Sequence, residues 1–175
     1  PPLAGPRQRR WLTPKPSMMD TKDFDEFERA LKLKFNDKPL LQRAFTHRSY
    51  LNEHPADGLE QNERLEYLGD AVLELVVTDY LYRTFPETPE GEMTNWRAAL
   101  VNARMLGGIA RELNFEPYLY LSRGEAKETG KARLYILANA FEAFIGAMYL
   151  DQGYEKVAEF INAHVMSKLP EIFEH

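Results

Sequence analysis

The stretch NERLEYLGDAVLELV at residues 62–76 decides the fold. Its leucines and valines keep helical spacing, which continues to Tyr80 and predicts one long helix over residues 62–84. The part from 71 to 77, AVLELVV, is apolar nearly all round apart from Glu74, a pattern that indicates burial. A strand of this length would be unusual, so the β-branched residues near its end do not favour a sheet.

The remaining sequence predicts further helices and no strand. Apolar residues recur with helical spacing, and Pro, Gly and Asn-Asp signals separate the segments. A break is predicted near Gly107-Gly108, and residues 114–131 are predicted to form a loop with short turns. The predicted helices cover about residues 20–36, 38–46, 62–84, 91–113, 133–151 and 154–168. The fold class predicted from this pattern is all-α.

Length and composition exclude several classes of protein. The chain has 175 residues and 44% apolar residues, which suits one domain with an ordinary core. It contains no cysteine, so disulfides, thiolate zinc sites and a cysteine nucleophile are excluded. We expect no membrane span, since no apolar run approaches about 18 residues, and no secretory signal, since the N-terminus has no apolar core behind its charges. These features fit a reducing compartment, and we expect a cytoplasmic protein.

Charge is distributed unevenly along the chain. Residues 1–19 contain Arg7, Arg9, Arg10 and Lys15 and no acidic residue. This segment therefore has a charge of +4, although the whole chain has a net charge of −5. This proline-rich segment is predicted to be a disordered basic arm or an added leader. Residues 20–175 are predicted to form the single folded domain, and they therefore carry −9. Such an acidic body argues against broad adhesion to nucleic acid, but allows local basic contacts or metal ions that offset carboxylates.

Three carboxylates mark the first candidate site. Glu63, Glu66 and Asp70 lie at i, i+3 and i+7, which puts them on one stripe of the long helix. Like charges at these spacings repel one another, so the helix needs compensation by cations or by a metal. A solvated acidic face remains the alternative.

A second predicted helix contains oxygen-bearing side chains among mostly apolar residues. It has the sequence ILANAFEAFIGAMYLD and covers residues 136–151. Asn139 and Glu142 lie at i and i+3 within it. Magnesium prefers oxygen ligands, so two such helices can together form a site for a hard cation. The alternative for Glu142 is an ion pair with an arginine. Glu90 is a possible third acidic contributor, although compensation of the helix dipole also explains it.

Other catalytic motifs are missing from the sequence. GEAKETGKA, at residues 124–132, has the wrong glycine spacing for a P-loop and ends in alanine instead of serine or threonine. The four histidines do not form an HExxH motif, and no GxGxxG or GxSxG occurs. We interpret His47, in FTHRSY, as a helix-end residue with a structural hydrogen bond.

Four ordered stretches together resemble the ribonuclease III family. NERLEYLGDAVLELV resembles the family's signature helix almost residue for residue, and the resemblance covers roughly residues 22–168. It also includes AFTHRSYLNE (44–53), PEGEMTNWRAALVN (89–102) and GEAKETGKARLYILANAFEAFIGAMYLD (124–151). The resemblance implies a helical endonuclease domain that forms a homodimer through the signature helices. It also implies Mg²⁺-dependent hydrolysis of both strands of double-stranded RNA, including rRNA precursors, with Mn²⁺ as a substitute ion.

By matching position, the resemblance implies a set of functional residues. Asp70 and Glu142 would be catalytic, and Glu66 and Asn139 would join them in holding the metal. Glu63 and Glu90 would be accessory acidic residues. Candidate phosphate contacts are Arg97, Lys127, Lys131 and Arg133, for which a solvated surface charge is the alternative.

Two departures from the family pattern bear on activity. Many members carry Asp where this chain has Asn139, which brings an oxygen but no charge. Nothing after residue 168 resembles the double-stranded-RNA-binding domain of many members. Asn139 favours the rival prediction of a non-cleaving relative that binds structured RNA. A third reading is an all-α protein whose carboxylates pair structurally with arginines, and it predicts no metal-dependent change in thermal stability.

Overall fold

The computed structural model describes residues 22–174, which form helices joined by short loops. The pairing of extended backbone found within these residues is an isolated β-bridge between Thr46 and Tyr120. This confirms the all-α prediction for the described residues, whereas the predicted arm at residues 1–19 lies outside them. The helices are α1 (Phe24–Leu31), α2 (Lys38–Ala44), α3 (Arg48–Glu53), α4 (Glu63–Thr84), α5 (Glu90–Val101), α6 (Ala103–Glu112), α7 (Gly130–Gln152), α8 (Tyr154–His164) and α9 (Leu169–Phe173).

The α7 helix forms the centre of the molecule, with α4 and α6 packed along it. It is apolar on nearly every side, as a helix surrounded by others must be. By length and composition α7 is apolar enough to cross a membrane, but 61% of its most apolar window is buried inside the protein. It therefore has the character of a core helix.

An aromatic cluster closes one end of the core, where α1 and α2 meet α7. Phe27 packs edge-on against Phe45 and Phe115, with ring centroids 5.1 and 5.4 Å apart. Phe144 on α7 contacts Phe115 at 5.4 Å in the same geometry. All four rings are at most 2% exposed. Such edge-to-face pairs add to the stabilisation from burial, so this cluster fixes α7 against the N-terminal helices.

The start of α4 is fixed by a buried asparagine. The side-chain amide of Asn62 donates to the carbonyl oxygen of Ala44 at 3.0 Å, and its backbone N–H donates to that of Thr46 at 2.9 Å. The predicted helix over residues 62–84 is confirmed, with Asn62 as the residue before its first turn. These hydrogen bonds therefore fix the position of the first turn of α4, with its carboxylates, relative to α2.

The predicted break near Gly107-Gly108 is wrong. The break falls at Asn102, whose extended backbone ends α5 and whose side chain accepts a hydrogen bond from the N–H of Met105 at 2.9 Å, capping α6. Gly107 lies inside α6, where its missing side chain allows close contact with the backbone of Leu134.

Other helix boundaries also differ from the prediction, and α1 ends at Leu31 instead of near residue 36. The second helix ends at Ala44, and His47 begins a short separate helix, α3. The imidazole Nδ1 of His47 lies 2.8 Å from the hydroxyl of Ser49 and accepts from its N–H, which confirms the structural hydrogen bond predicted for this histidine. The predicted helix at residues 154–168 ends at His164, and a 3₁₀ turn at Met166–Lys168 follows.

Candidate functional site

The two helices that carry the candidate carboxylates touch backbone to backbone. A Cβ atom on Gly69 of α4 would overlap the carbonyl oxygen of Glu142 on α7, and one on Gly146 would overlap that of Leu65. Only glycine permits this approach at both positions. Asp70 directly follows Gly69 in the chain, so this carboxylate of the signature helix lies beside the point where α4 crosses α7 at Glu142.

The electrostatics of Glu142 show that the carboxylates lie within range of one another. Burial, followed in order of importance by the charges of Asp70, Glu66 and Glu74, raises the pKa of Glu142 to about 8. Burial also raises the pKa of Glu66, as do the charges of Glu63 and Asp70. The charges of Glu66 and Asp70 therefore act on Glu142, as expected if the three share a site; Glu66 and Glu142 are half-buried, whereas Asp70 is exposed.

Among the residues that the structure describes, no basic side chain neutralises this group. Within residues 22–174, no lysine, arginine or histidine nitrogen forms an ion pair with Glu66, Asp70 or Glu142. Among residues 22–174, no arginine therefore forms the pair with Glu142, or with the other two carboxylates, that the alternatives require. Carboxyl groups without a counterion, two of them half-buried, favour binding of a cation from solution.

The two accessory acidic residues differ in their relation to this group. Glu63 is exposed and accepts from the side-chain amide of Gln61 at 3.0 Å, and the guanidinium of Arg48 is 3.5 Å away. Glu90, at the start of α5, is exposed and accepts from the hydroxyl of Thr94 at 2.7 Å. Glu63 acts on the site through its charge on Glu66, whereas the contacts of Glu90 lie within its own helix.

Asn139 lies on α7 one turn before Glu142 and is half-buried. Its side-chain oxygen is a neutral ligand of the kind that hard cations accept. In the described part of the chain, no group of three or more histidine, aspartate or glutamate side chains is arranged so that it could hold a metal ion. Magnesium retains several waters and is commonly held by one or two carboxylates, so a full cage is not required. The oxygen-only, unneutralised donor set fits a hydrated divalent cation.

Two of the four predicted phosphate contacts already have protein partners. The guanidinium of Arg133 donates to the carbonyl oxygens of Glu128 at 3.1 Å and Ala126 at 2.8 Å, which closes the loop before α7. Arg97 is paired with carboxylate and hydroxyl groups of α4. Lys127 and Lys131 are exposed beside that loop, and the ammonium of Lys131 lies 5.8 Å from the ring of Tyr135.

Sequence reasoning did not identify the residues that position the carboxylates. Gly69 and Gly146 have no functional group, yet they set the distance between the two helices. A signal was present: each glycine lies in an apolar helical segment, where glycine is unfavourable unless close packing requires it. The pairing of Arg97 with Glu74 joins α5 to α4 and had no comparable signal, because the two residues are far apart in sequence.

Comparison with known families identifies this arrangement. A family model described as Ribonuclease-III-like matches residues 37–169. The chain belongs to the ribonuclease-III-like family. It is 53% identical over 147 residues to Ribonuclease 3 of Oceanobacillus iheyensis, covering 84% of this chain. It is 46% identical over 169 residues to Ribonuclease 3 of Halalkalibacterium halodurans, covering 96% of this chain. The chain spans 64% and 63% of the lengths of these two relatives.

A solved structure shows the same ribonuclease-III-like fold. The nuclease domain of ribonuclease III from Campylobacter jejuni superimposes with a TM-score of 0.75 and 38% sequence identity. The match covers 85% of this chain and 99% of that one. The helical architecture described above is therefore that of a ribonuclease III nuclease domain, as the signature stretch predicted.

Proposed function

We propose that this domain is a divalent-cation-dependent endoribonuclease that hydrolyses phosphodiester bonds in both strands of double-stranded RNA. The observation that carries the proposal is the backbone contact of Gly69 on α4 with Glu142 on α7, beside a helix that carries Glu66 and Asp70, three carboxyl groups for which residues 22–174 provide no ion-pair partner. The relatives named Ribonuclease 3 and the matching nuclease domain support the same activity.

Mg²⁺ is the proposed cofactor, with Mn²⁺ as a substitute, held by Glu66, Asp70 and Glu142 together with the amide oxygen of Asn139. When bound, the ion supplies Lewis acidity that makes water a better nucleophile and stabilises charge on the phosphodiester. The carboxylates fix its position against the rigid crossing of α4 and α7. No side-chain nucleophile is needed.

The carboxyl group of Glu142 also has a proton to release. Its pKa of about 8 means that the metal-free protein holds a proton there at neutral pH. A cation beside the carboxylate favours the ionised form, so we propose that binding expels this proton. The amide of Asn139 can orient water one turn away on the same helix. Glu63 and Glu90 would add negative potential at the rim and attract further cations.

Recognition of the RNA is proposed to depend on shape. A-form RNA exposes a wide minor groove lined by 2′-hydroxyls and phosphates. The exposed Lys127 and Lys131 are the proposed phosphate contacts that remain available, whereas Arg97 and Arg133 are engaged in the protein. Since residues 20–175 carry −9, we expect weak binding with a steep dependence on salt. The proposed setting is the cytoplasm, with rRNA precursors among the structured substrates.

A homodimer is proposed from the exposed face of α4. Tyr67, Leu75 and Tyr82 are 84%, 57% and 72% exposed, and their spacings of eight and seven residues place them on one side of the helix. The Campylobacter jejuni nuclease domain is described as having structural flexibility in a region involved in dimer formation. A two-fold axis at this face would present two equivalent sites, one for each RNA strand.

Cleavage of a long RNA duplex tests the proposal. We expect cutting with Mg²⁺ or Mn²⁺, none with EDTA, and none by the Glu142→Ala variant. Glu155→Ala removes an exposed carboxylate from α8 and should cut at the wild-type rate. Circular dichroism should show that both variants are folded. Cutting by Glu142→Ala at the wild-type rate would show that the site is misassigned.

A second candidate function is binding of structured RNA without cleavage. It is favoured by Asn139, which removes one charge from the site relative to many family members. The same assay separates the two functions when a gel-shift measurement accompanies it. Duplex that is bound but stays intact at high protein concentration with Mg²⁺ and with Mn²⁺ would establish the binder.

A further inference from the structure

Arg97 on α5 makes two polar contacts with α4. Its Nε lies 3.0 Å from Oε2 of Glu74, and its terminal NH1 nitrogen donates to the hydroxyl of Thr78 at 2.9 Å. The side chains of Arg97 and Glu74 are 35% and 40% exposed. The guanidinium is therefore engaged by two groups one turn apart, which makes it a poor candidate for a phosphate contact.

Glu74 lies one helical turn beyond Asp70, about 6 Å along the same helix. Without Arg97, Glu74 would be a fourth unneutralised carboxylate beside Glu66, Asp70 and Glu142. A divalent cation could then bind either at Glu66, Asp70 and Glu142 or beside Glu74. Only the first of these two positions is the proposed catalytic site.

We propose that Arg97 is a positioning residue that neutralises Glu74 and thereby confines the cation to Glu66, Asp70 and Glu142. This inference rests on the proposed function for the identity of the cation site. In this role Arg97 acts on a carboxylate of its own chain and does not contact a phosphate of the RNA. The hydrogen bond to Thr78 holds the guanidinium in the position where this neutralisation works.

The first test measures Mn²⁺ binding by calorimetry on the whole chain without RNA. Arg97→Gln removes the charge but keeps a hydrogen-bond donor for Thr78, so the fold should persist. Removing a positive charge at this range should tighten Mn²⁺ binding about fivefold or add a second weak equivalent. Arg97→Lys keeps the charge and should bind Mn²⁺ within about twofold of the wild type.

The double variant Glu74→Gln with Arg97→Gln is the decisive one. It removes the carboxylate together with its partner, so Mn²⁺ binding should return to within about twofold of the wild type. Arg83→Gln is the matched control, because it breaks an ion pair of 2.8 Å with Asp79 farther along α4. Asp79 is nine residues from Asp70, about 14 Å along the helix, and this control should leave Mn²⁺ binding unchanged.

Cleavage kinetics provide a second readout. Arg97→Gln should lower kcat about tenfold, and the double variant should restore most of it. If Arg97 instead contacted an RNA phosphate, Arg97→Gln would raise KM and would reduce the number of ions released on RNA binding by about one. Adding Glu74→Gln would then restore nothing.

Unchanged Mn²⁺ binding in Arg97→Gln, or a double variant that binds as the single variant does, would overturn the inference. A wild type that binds Mn²⁺ but leaves duplex RNA intact would refute the nuclease proposal alone, because the binding comparison still decides the role of Arg97. A wild type that binds no Mn²⁺ would refute both.

Discussion

The backbone carbonyl oxygen of Glu142 lies where the first side-chain atom of any larger residue at position 69 would have to be. Gly69 thus sets the distance between α4 and α7, although it has no group that can take part in chemistry. Asp70 is its neighbour in the chain, so the same contact determines how close two candidate catalytic carboxylates come. The geometry of the site consequently depends on a glycine.

Gly69→Ala should destabilise the domain strongly. The added methyl group meets backbone, which cannot move aside as a flexible side chain can, so the two central helices must separate. We expect a loss of about 3 kcal/mol or more in the free energy of unfolding, measured by urea denaturation. Gly108→Ala is the matched control: it lies inside α6 with no neighbouring atom within 4 Å and should be neutral or up to about 1 kcal/mol stabilising. Equal losses in the two variants would contradict the proposed contact.

Glu142→Gln should stabilise the metal-free protein at high pH. The folded state raises the pKa of Glu142 from 4.5 to about 8, so the folded protein holds more protons than the unfolded chain between these values. Wild-type stability should therefore fall as pH rises from 4.5 to 8, whereas glutamine has no proton to lose. With allowance for solvent screening of a partly exposed group, we expect an advantage of about 1–2 kcal/mol at pH 9. Urea unfolding in EDTA should show the two proteins converging near pH 5, and a constant difference would contradict the assignment.

Divalent cations should raise the midpoint of thermal unfolding. A ligand that binds only the folded state stabilises it by about 2.7 kcal/mol at one hundred times its dissociation constant. Differential scanning fluorimetry with Mg²⁺ should show this shift in the wild type and a much smaller one in Asp70→Asn. Asp79→Asn removes a carboxylate nine residues farther along α4 and should respond as the wild type does. If the wild type shows no shift, the carboxylates have another role.

Asn139→Asp should strengthen cation binding. The substitution adds a negative charge one turn from Glu142, at a position where the family resemblance leads us to expect Asp. We expect the Mg²⁺ concentration for half-maximal cleavage to fall several-fold, while the metal-free protein becomes less stable because one more carboxylate is crowded into the group. Titration of Mg²⁺ in the cleavage assay measures the first effect. A half-maximal concentration that rises would show that Asn139 does not face the ion.

Leu75→Glu should dissociate the proposed dimer. Leu75 is 57% exposed on the face of α4 shared with Tyr67 and Tyr82, and a buried charge at an apolar interface is costly. Sedimentation equilibrium should show a monomer for this variant and a dimer for the wild type. Leu150→Glu is a matched control, since Leu150 is 56% exposed but lies on α7. A Leu75→Glu dimer of unchanged affinity would place the interface elsewhere.

Much of the fold was predictable because its deciding signals are local. The signature helix was predicted over residues 62–84, and the structure begins it at Glu63 and ends it at Thr84. Spacing also grouped Glu66 with Asp70, since side chains three and four residues apart share a helix face whatever surrounds them. The grouping with Glu142 rested on the family resemblance, and the roles of all three remain predictions.

The errors arose where distant contacts decide the outcome. Gly107 resembled a helix break, but the backbone of Leu134 packs against it, and the break fell at Asn102. Residues 71–77 looked buried on every side, yet Leu75 is exposed on a face that no helix of residues 22–174 covers. Arg97 looked like a free cation, and only the packing of α5 on α4 provides its carboxylate partner.

The sequence by itself determined that the chain is helical, where its central helix runs, and which oxygen ligands face one another along a single helix, since these follow from spacing within 3.6-residue turns. The tertiary structure decided how closely α4 and α7 approach, which charges are neutralised and which apolar face stays exposed. Those properties depend on the separation between atoms of residues far apart in the chain, such as Gly69 and Glu142, and no local spacing encodes that separation.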